Sequence, residues 1–227
     1  MNAPKTALSL ASALLLGSTL SGCSSLTPSF ETQEAYVVID GAGPTNPAAM
    51  EKVLTEVTKA VKTQVSSVRA SRIAPPVPLP SAPGNFSVND MGGGSGFGAV
   101  MQSRGIALRT PRCESAVLNL SSSDSGLAGY GQQTQYFVCV IPYATGYRTA
   151  VYASYSKASG LLSPATIGAS LGGMLVGEGS QFIPRLMAEV KTAMEANLRN
   201  VKVVQSYIPD SMDGPMVKQR DKLTSAQ

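Results

Sequence analysis

Few residues in this chain of 227 have side chains suited to catalysis. Histidine is absent, which removes the usual general base, the Ser-His-Asp and Cys-His arrangements and the most frequent metal ligand. No spacing places two carboxylates on one face; the scattered carboxylates are Asp40, Glu114, Asp124 and Glu178. A glycosidase-type pair would have to be assembled by the fold. The sequence therefore predicts no catalytic residue, no metal site and no cofactor.

Three short stretches match part of a functional sequence motif. Gly41–Asn46 follows an apolar run, but Asn stands where a dinucleotide-binding motif has its third Gly. Gly93–Phe97 ends in Phe where a nucleophile elbow has Gly. Ser154–Lys157 has the S-x-x-K spacing of penicillin-recognising enzymes, but the companion K-T-G is absent. We interpret all three as turn or strand residues.

The first 22 residues have the pattern of a secretory signal. Lys5 precedes an apolar run from Thr6 to Leu20, and small residues follow it. The run is shorter than the roughly 20 residues that a spanning helix needs. We therefore expect residues 1–22 to be a cleaved signal peptide.

The end of this leader, Leu20-Ser21-Gly22-Cys23, resembles the lipobox of bacterial lipoproteins. The resemblance implies cleavage before Cys23 and attachment of three fatty acyl chains, such as palmitate, to its sulfur and amine. Ser24 stands where lipoproteins retained in the inner membrane usually have Asp, which favours an outer-membrane anchor facing the periplasm. The alternative is an ordinary signal peptide with a coincidental Cys.

If Cys23 is lipidated, Cys113 and Cys139 are left as a pair. In an oxidising compartment two such cysteines form a disulfide by default. The alternative is two buried thiols that never meet. They lack the C-x-x-C spacing of zinc and thioredoxin-like redox sites.

The charge of the chain argues against a nucleic-acid partner. The formal net charge is only +4, and no basic run is interleaved with aromatic residues. Mild attraction to anionic lipid or polysaccharide remains open. The low share of charged residues, 14%, suits an exported protein with long loops of small residues.

Periodic apolar residues predict two helices and several strands. Asn46 and Pro47 are typical of a helix start, and an apolar stripe follows from Met50 to Val68. Because Val is a weak helix former, this stripe needs a sheet to pack on. A second helix is predicted from Pro184. The predicted strands are Ala35–Asp40, Ser115–Leu120, Thr134–Ile141, Tyr147–Tyr155 and Val201–Ile208.

Thr134–Ile141 and Tyr147–Tyr155 form a predicted hairpin. Tyr136, Val138 and Val140 would share one face of its first strand, and Phe137, Cys139 and Ile141 the other. Tyrosines on a sheet are usually packing residues, but an exposed set would form an adhesive patch. The tyrosines considered as partner contacts are Tyr147, Tyr152 and Tyr155.

Two stretches have no clear periodic pattern. Residues 73–98 form an insertion rich in Pro and Gly, interpreted as disordered or as a stiff Pro segment that docks on a partner. Leu161–Gly179 is apolar and Gly-rich, with Ile167, Leu171 and Met174 on one side. It is interpreted as a loose helical cover over the core, or as a contact with lipid or with a second copy of the chain.

These observations predict an α+β two-layer sandwich with a mostly antiparallel sheet, two core helices and a long Pro/Gly-rich insertion. The expected organisation is a signal peptide (1–22), a flexible tether (23–34), the domain (35–208, insertion 73–98) and a disordered tail (209–227). The expected function is a non-enzymatic scaffold or accessory subunit of a cell-envelope or secretion assembly, bound to the bilayer through Cys23 and to an envelope protein. The alternatives are an oligomeric pore-associated subunit and a glycan-acting enzyme using Asp40 or Glu114.

Overall fold

A computed structural model describes residues 29–65, 67–90, 109–124, 132–159 and 179–209. The elements along these residues, in chain order, are β1 (Ser29–Ala42), α1 (Pro47–Gln64), β2 (Arg69–Arg72), β3 (Phe86–Asp90), β4 (Arg109–Cys113), β5 (Leu118–Asp124), β6 (Gln132–Tyr143), β7 (Gly146–Ser159), α2 (Gly179–Glu195) and β8 (Arg199–Tyr207).

The main sheet has six strands in the order β2-β5-β6-β7-β1-β8, and every neighbouring pair is antiparallel. The first strand of the chain is internal, because β1 pairs with β7 on one side and with β8 on the other. Both helices pack on one face of this sheet. The predicted α+β sandwich with two core helices is therefore confirmed.

The predicted hairpin is confirmed and is longer than expected. Its strands extend from Gln132 to Tyr143 and from Gly146 to Ser159, and Tyr143 pairs with Gly146 at the tip. A Cβ on Gly146 would overlap the carbonyl oxygen of Gly41 on β1. The close approach of the two backbones therefore requires glycine at this turn.

Two predicted strand starts are wrong by three residues or more. β1 begins at Ser29, so residues 29–34, assigned to the tether, belong to the sheet. This half of β1 is polar and lacks alternation, and its pairing includes a 2.9 Å hydrogen bond between the hydroxyls of Thr32 and Ser156. β5 begins at Leu118 rather than Ser115, because Ser115 adopts a φ of 59° in the preceding turn.

The start of α1 lies where the sequence predicts it. The side chain of Asn46 accepts a hydrogen bond of 2.9 Å from the backbone N–H of Ala49, and Pro47 occupies the first turn. This cap satisfies one of the backbone donors that a helix start leaves unpaired. The apolar stripe is buried as predicted, at Met50, Val53, Leu54, Val57 and Val61.

The second helix begins earlier than predicted. α2 starts at Gly179, so Pro184 lies inside it and does not begin it. Pro184 is the sixth residue of the helix, beyond the four N–H groups that a helix start leaves unpaired, so the helix lacks one hydrogen bond to the carbonyl four residues earlier. The predicted apolar stripe is buried: Ile183, Leu186, Met187, Val190, Met194 and Leu198.

The sheet is also covered on its other face. Val38, Cys139, Ile141 and Ala150 form a second, smaller apolar cluster there, against which Phe86 and Cys113 pack. These last two residues belong to the β3–β4 hairpin. The alternation predicted for β6 is confirmed, since its odd-numbered residues face this cluster and its even-numbered residues face the helices.

The structure corrects the interpretation of residues 73–98 as a disordered insertion. Residues 73–85 have a defined path, and Phe86–Asp90 forms β3, which pairs with β4. The Pro-rich composition hid this strand, because Pro and Gly flank it on both sides. Residues 91–98 lie outside the described part of the chain.

The predicted disulfide is confirmed. Cys113 at the end of β4 is bonded to Cys139 on β6, with a sequence separation of 26 residues. Cys139 is completely buried. The bond fastens the β3–β4 hairpin to the face of the main sheet opposite the helices.

Different parts of the chain lie at the two ends of the sheet. At one, which we call the near end, Ser29 pairs with Ser159. At the other, the far end, Ala42 pairs with Gly146. The segment that leads into α1 lies at the far end, and so does Leu198. One methyl carbon of Leu198 would lie 2.8 Å from a Cβ placed on Gly41, and the other would lie 2.6 Å from a Cβ placed on Gly43.

The two edge strands are short or irregular. β2 has four residues, all exposed. At the opposite edge β8 pairs with β1 through two register shifts, one between Val38 and Ile39 and one between Asp40 and Ala42.

Candidate partner-binding groove

An open groove of about 510 Å³ lies at the far end, between the first turns of α1 and the Pro-rich segment that follows β2. Met50, Leu54 and Val117 are buried at its base. Its outer wall is the segment Ile73–Leu79. The lining is mostly apolar, and an open apolar lining is typical of a protein-binding site.

The outer wall of this groove is held at both ends. The backbone N–H of Ile73 donates to the carbonyl of Val117 at 2.9 Å, and that of Ala144 donates to the carbonyl of Pro80 at 2.8 Å. Pro residues restrict the backbone between these two points. The groove is therefore preformed.

The wall presents large apolar side chains to solvent. Val77 is 94% exposed and Ile73 is 57% exposed. Such residues are ordinary on a surface when single. Here they border an apolar groove, so their burial by a partner would be favourable.

An ion pair joins the groove's inner and outer walls. Nη1 of Arg72 donates to both carboxylate oxygens of Glu51, at 2.8 Å and 2.6 Å. This hydrogen bonding holds the pKa of Glu51 below its usual value. Both side chains are about half exposed, so the pair orients the wall more than it stabilises the fold.

A second cavity, of about 620 Å³, lies toward the near end and is more polar. Beside it the Glu34 carboxylate accepts hydrogen bonds from Tyr152 at 3.0 Å and from Arg109 at 2.8 Å. Burial, with the adjacent Glu34 carboxylate, raises the pKa of Tyr152. Tyr152 therefore stays protonated to a higher pH than an ordinary tyrosine, and the hydrogen bonds to Glu34 link β1, β4 and β7.

The tyrosines considered as partner contacts are packing residues. Tyr147, Tyr152 and Tyr155 are 0%, 3% and 6% exposed. The hydroxyl of Tyr147 donates to the carbonyl of Pro44 at 2.9 Å. The alternative of an adhesive tyrosine patch on the hairpin is therefore wrong for this domain.

Other predicted site residues lie outside the described ranges. These are the lipidation candidate Cys23 and the partner-contact candidates Ile167, Leu171 and Met174. No helix within the described ranges combines the length and hydropathy that a membrane span requires.

The two carboxylates proposed for glycan chemistry are each engaged by a neighbouring side chain. Asp40 forms a two-point ion pair with Arg148, at 2.7 Å and 2.8 Å, which raises the pKa of Arg148. Glu114 accepts a hydrogen bond of 3.3 Å from the side chain of Asn85. Neither lines the groove or the polar cavity. Among the described residues no cluster of acidic or sulfur side chains is close enough to hold a metal ion.

Two of the three motif fragments have structural explanations. In Gly41–Asn46 the glycines admit the side chain of Leu198, and Asn46 caps α1. Ser154–Lys157 is part of β7, and Tyr155 within it is buried. Gly93–Phe97 lies outside the described residues.

Sequence reasoning missed the residues that build the groove. It placed Pro75–Pro83 among the candidate docking segments but did not single out Ile73, Val77 or the Glu51–Arg72 pair. One signal was available: aliphatic residues alternate with Pro between Ile73 and Pro80, where a disordered linker would have polar residues.

No protein-family model and no curated protein sequence matches this chain. Among solved structures there is a match to the crystal structure of TTHA0849 from Thermus thermophilus. It is 14% identical, and the match covers 74% of this chain and 97% of that one with a TM-score of 0.21. A TM-score this low means that the two backbones do not superpose as one fold, so the match carries no conclusion about this protein.

Proposed function

We propose that the protein is a lipoprotein of the bacterial cell envelope, anchored through acyl chains on Cys23, that acts without catalysis as a scaffold or accessory subunit of an envelope or secretion assembly. The observation that supports this proposal is that the chain entry and the groove lie at opposite ends of the domain. The chain enters the sheet at the near end, at Ser29, and the exposed apolar groove lies at the far end.

The dimensions of the chain fit a partner-presenting role. Five residues lie between Cys23 and Ser29, and this span reaches at most about 20 Å when extended. β1 then continues for 14 residues, a length of about 43 Å. An anchored domain standing on its near end would hold the groove well above the bilayer, where a second envelope protein can reach it.

The disulfide supports export. A Cys113–Cys139 bond is expected where thiols are oxidised and not in a reducing cytosol. Together with Ser24 after the lipidation candidate, it favours an outer-membrane lipoprotein that faces the periplasm. Three acyl chains exceed the two membrane signals that durable anchoring needs.

A second candidate function is an oligomeric or membrane-active pore-associated subunit that uses residues 161–179. One observation favours it: this segment follows Ser159, which pairs with Ser29 beside the proposed anchor. Its residues from Leu161 to Gly177 carry no charge. Detergent-extracted protein would then run as an oligomer that a Gly172→Leu/Gly173→Leu variant disrupts, whereas an unchanged monomer would argue against this role.

Intact mass spectrometry of the protein purified from native membranes tests the anchor. We expect the loss of residues 1–22 and the addition of three acyl chains. A Cys23→Ala variant should keep the leader and carry no lipid. A Cys113→Ala/Cys139→Ala variant is the matched control, because it also loses sulfur atoms but should still be acylated. Native protein that retains residues 1–22 without lipid would refute the proposal.

A further inference from the structure

One stretch of the chain beside the groove carries basic residues and no acidic ones. Between Glu56 and Asp90 there is no acidic residue, whereas this stretch contains four basic ones: Lys59, Lys62, Arg69 and Arg72. The fold places three of them together. Lys59, Lys62 and Arg72 line an open depression of about 440 Å³ on the outer side of α1, which we call the basic shelf.

The charge of the shelf is only partly neutralised. Arg72 is engaged by Glu51. Lys59 and Lys62 are exposed, and no ion pair is formed by either of them with another described residue. The hydroxyls of Thr58 and Thr63 are directed to carbonyls of α1 itself, at Leu54 and Ala60. The shelf therefore offers two uncompensated cations to an anionic ligand.

Shelf and groove form one continuous surface, because Arg72 lines both. One side of this surface is apolar, with Ile73 and Val77 exposed at its rim, and the other side is cationic. A ligand that matches both sides has aliphatic groups next to carboxylates or other anions.

We propose that the groove and the basic shelf together bind a segment of a partner protein in which aliphatic side chains are followed by acidic ones. This inference rests on the proposed function and names the chemistry of its partner. The aliphatic residues would occupy the groove and cover Val77, and the carboxylates would pair with Lys59 and Lys62. Pairing at an exposed shelf sets orientation and association rate and disfavours a ligand of the wrong charge, whereas the apolar half supplies most of the affinity for a matching ligand.

The residues at which the described parts of the chain end lie away from the groove. The described residues next to the undescribed segments lie toward the near end: Ser29 and Ser159 pair there, Arg109 contacts Glu34, and Asp124 pairs with Thr134. The groove lies at the opposite end, beside Thr45 and Pro47. The distance from these residues to the groove is most of the length of β1.

A lipid is a poorer fit than a peptide. An acyl chain in the groove would leave Val77 uncovered, because this side chain is 94% exposed and projects from the outer wall. A peptide backbone has side chains on more than one side, so that it can fill the groove and cover the rim at once. The bilayer also meets the near end in the proposed orientation.

The test uses the full lipidated protein in nanodiscs of neutral phosphatidylcholine and three fluorescein-labelled peptides. The first has four residues of alternating Leu and Ala followed by four Glu. The second has Lys in place of Glu, and the third has Ser in place of Leu. Fluorescence anisotropy should show saturable binding of the first peptide, and binding weaker by about tenfold or more for the other two.

Substitutions assign this binding to the surface. Val77→Ser should weaken it by about tenfold, and Lys59→Glu/Lys62→Glu should reverse the preference toward the Lys peptide. The matched controls are Val204→Ser and Lys202→Glu, exposed residues of β8, which should leave binding unchanged. Equal binding of all three peptides, no binding, or insensitivity to both groove and shelf variants would overturn the inference.

Two further arms separate the alternatives. If vesicles of phosphatidylglycerol displace the acidic peptide from the native protein and vesicles of phosphatidylcholine do not, the surface binds lipid and the inference is wrong. If mass spectrometry shows no acyl chains, the anchor has failed, but the same peptide titration in detergent still reports on the groove alone.

Discussion

Removal of the disulfide should destabilise the domain by an amount that its loop length sets. Cys113 and Cys139 are 26 residues apart, and closure of a loop of this length in the unfolded chain is worth about 3.5 kcal/mol in the chain-entropy model. A Cys113→Ala/Cys139→Ala variant should lose this amount of unfolding free energy. For a domain of this size the loss lowers Tm by about 7–14 °C.

The folded state should change little in this variant. The β3–β4 hairpin is also held by the ion pair between Arg109 and Glu34, at 2.8 Å, and by the packing of Phe86 in the second apolar cluster. The effect therefore lies mainly in the unfolded state, which becomes less restricted when the cross-link is absent.

Urea unfolding of four samples, wild type and variant with and without dithiothreitol, measures the effect. Reduction should move the wild-type midpoint to that of the variant and leave the variant unmoved. The slope of free energy against urea should rise slightly on reduction, because the unfolded chain exposes more surface without the cross-link. Equal midpoints for oxidised and reduced wild type would refute the loop-entropy reasoning. A normal midpoint with rapid hydrogen exchange confined to β3 and β4 would show that the bond holds only the hairpin.

Two further predictions concern α1 and the buried tyrosines. Asn46→Ala should lower the free energy of unfolding by about 1 kcal/mol, whereas Asn46→Asp should keep the cap. Thermal unfolding of both variants measures the loss of stability. Equal losses in the two variants would refute a capping role. Burial raises the pKa of Tyr147 and Tyr152 above the ordinary value of 10.0. The unfolded chain therefore releases protons first, and stability should fall as the pH rises above 10. Urea midpoints across this range check it, and a flat profile would contradict it.

The parts of the fold that the sequence predicts are those with local signals. Asn46 and Pro47 mark the start of α1 through geometry that spans only four residues. The β6–β7 hairpin has two alternating strands and a tight turn. The disulfide could be predicted from compartment and number of cysteines, without any knowledge of distance.

The elements that were missed depend on distant partners. The first half of β1 is polar, and it is a strand because β7 supplies its hydrogen bonds from Ser159 to Ser154. β3 lies between Pro- and Gly-rich stretches and forms by pairing with β4, whose residues lie 19 to 27 positions later in the chain. No local pattern contains either contact.

The same limit applies to the tyrosines and to the groove. The burial of Tyr152 on β7 depends on a hairpin from another part of the chain that covers its face of the sheet. The groove combines α1 with residues Ile73–Leu79, and its exposed rim at Val77 is a property of that assembly. The sequence shows the aliphatic residues and the lack of acidic residues in this stretch. It does not show that the stretch packs beside α1 to form a groove.

If the protein is anchored as proposed, the irregular edges of the sheet bear on its behaviour at high surface density. Molecules confined to a plane meet far more often than molecules free in solution, and an open sheet edge is a template for strand-to-strand growth. Here one edge has only four exposed residues, including Arg69 and Arg72. The other is distorted by two register shifts and carries Lys202. Neither offers the long, flat ladder that fibrillar aggregation requires, so crowding should not convert this open sheet into a polymer.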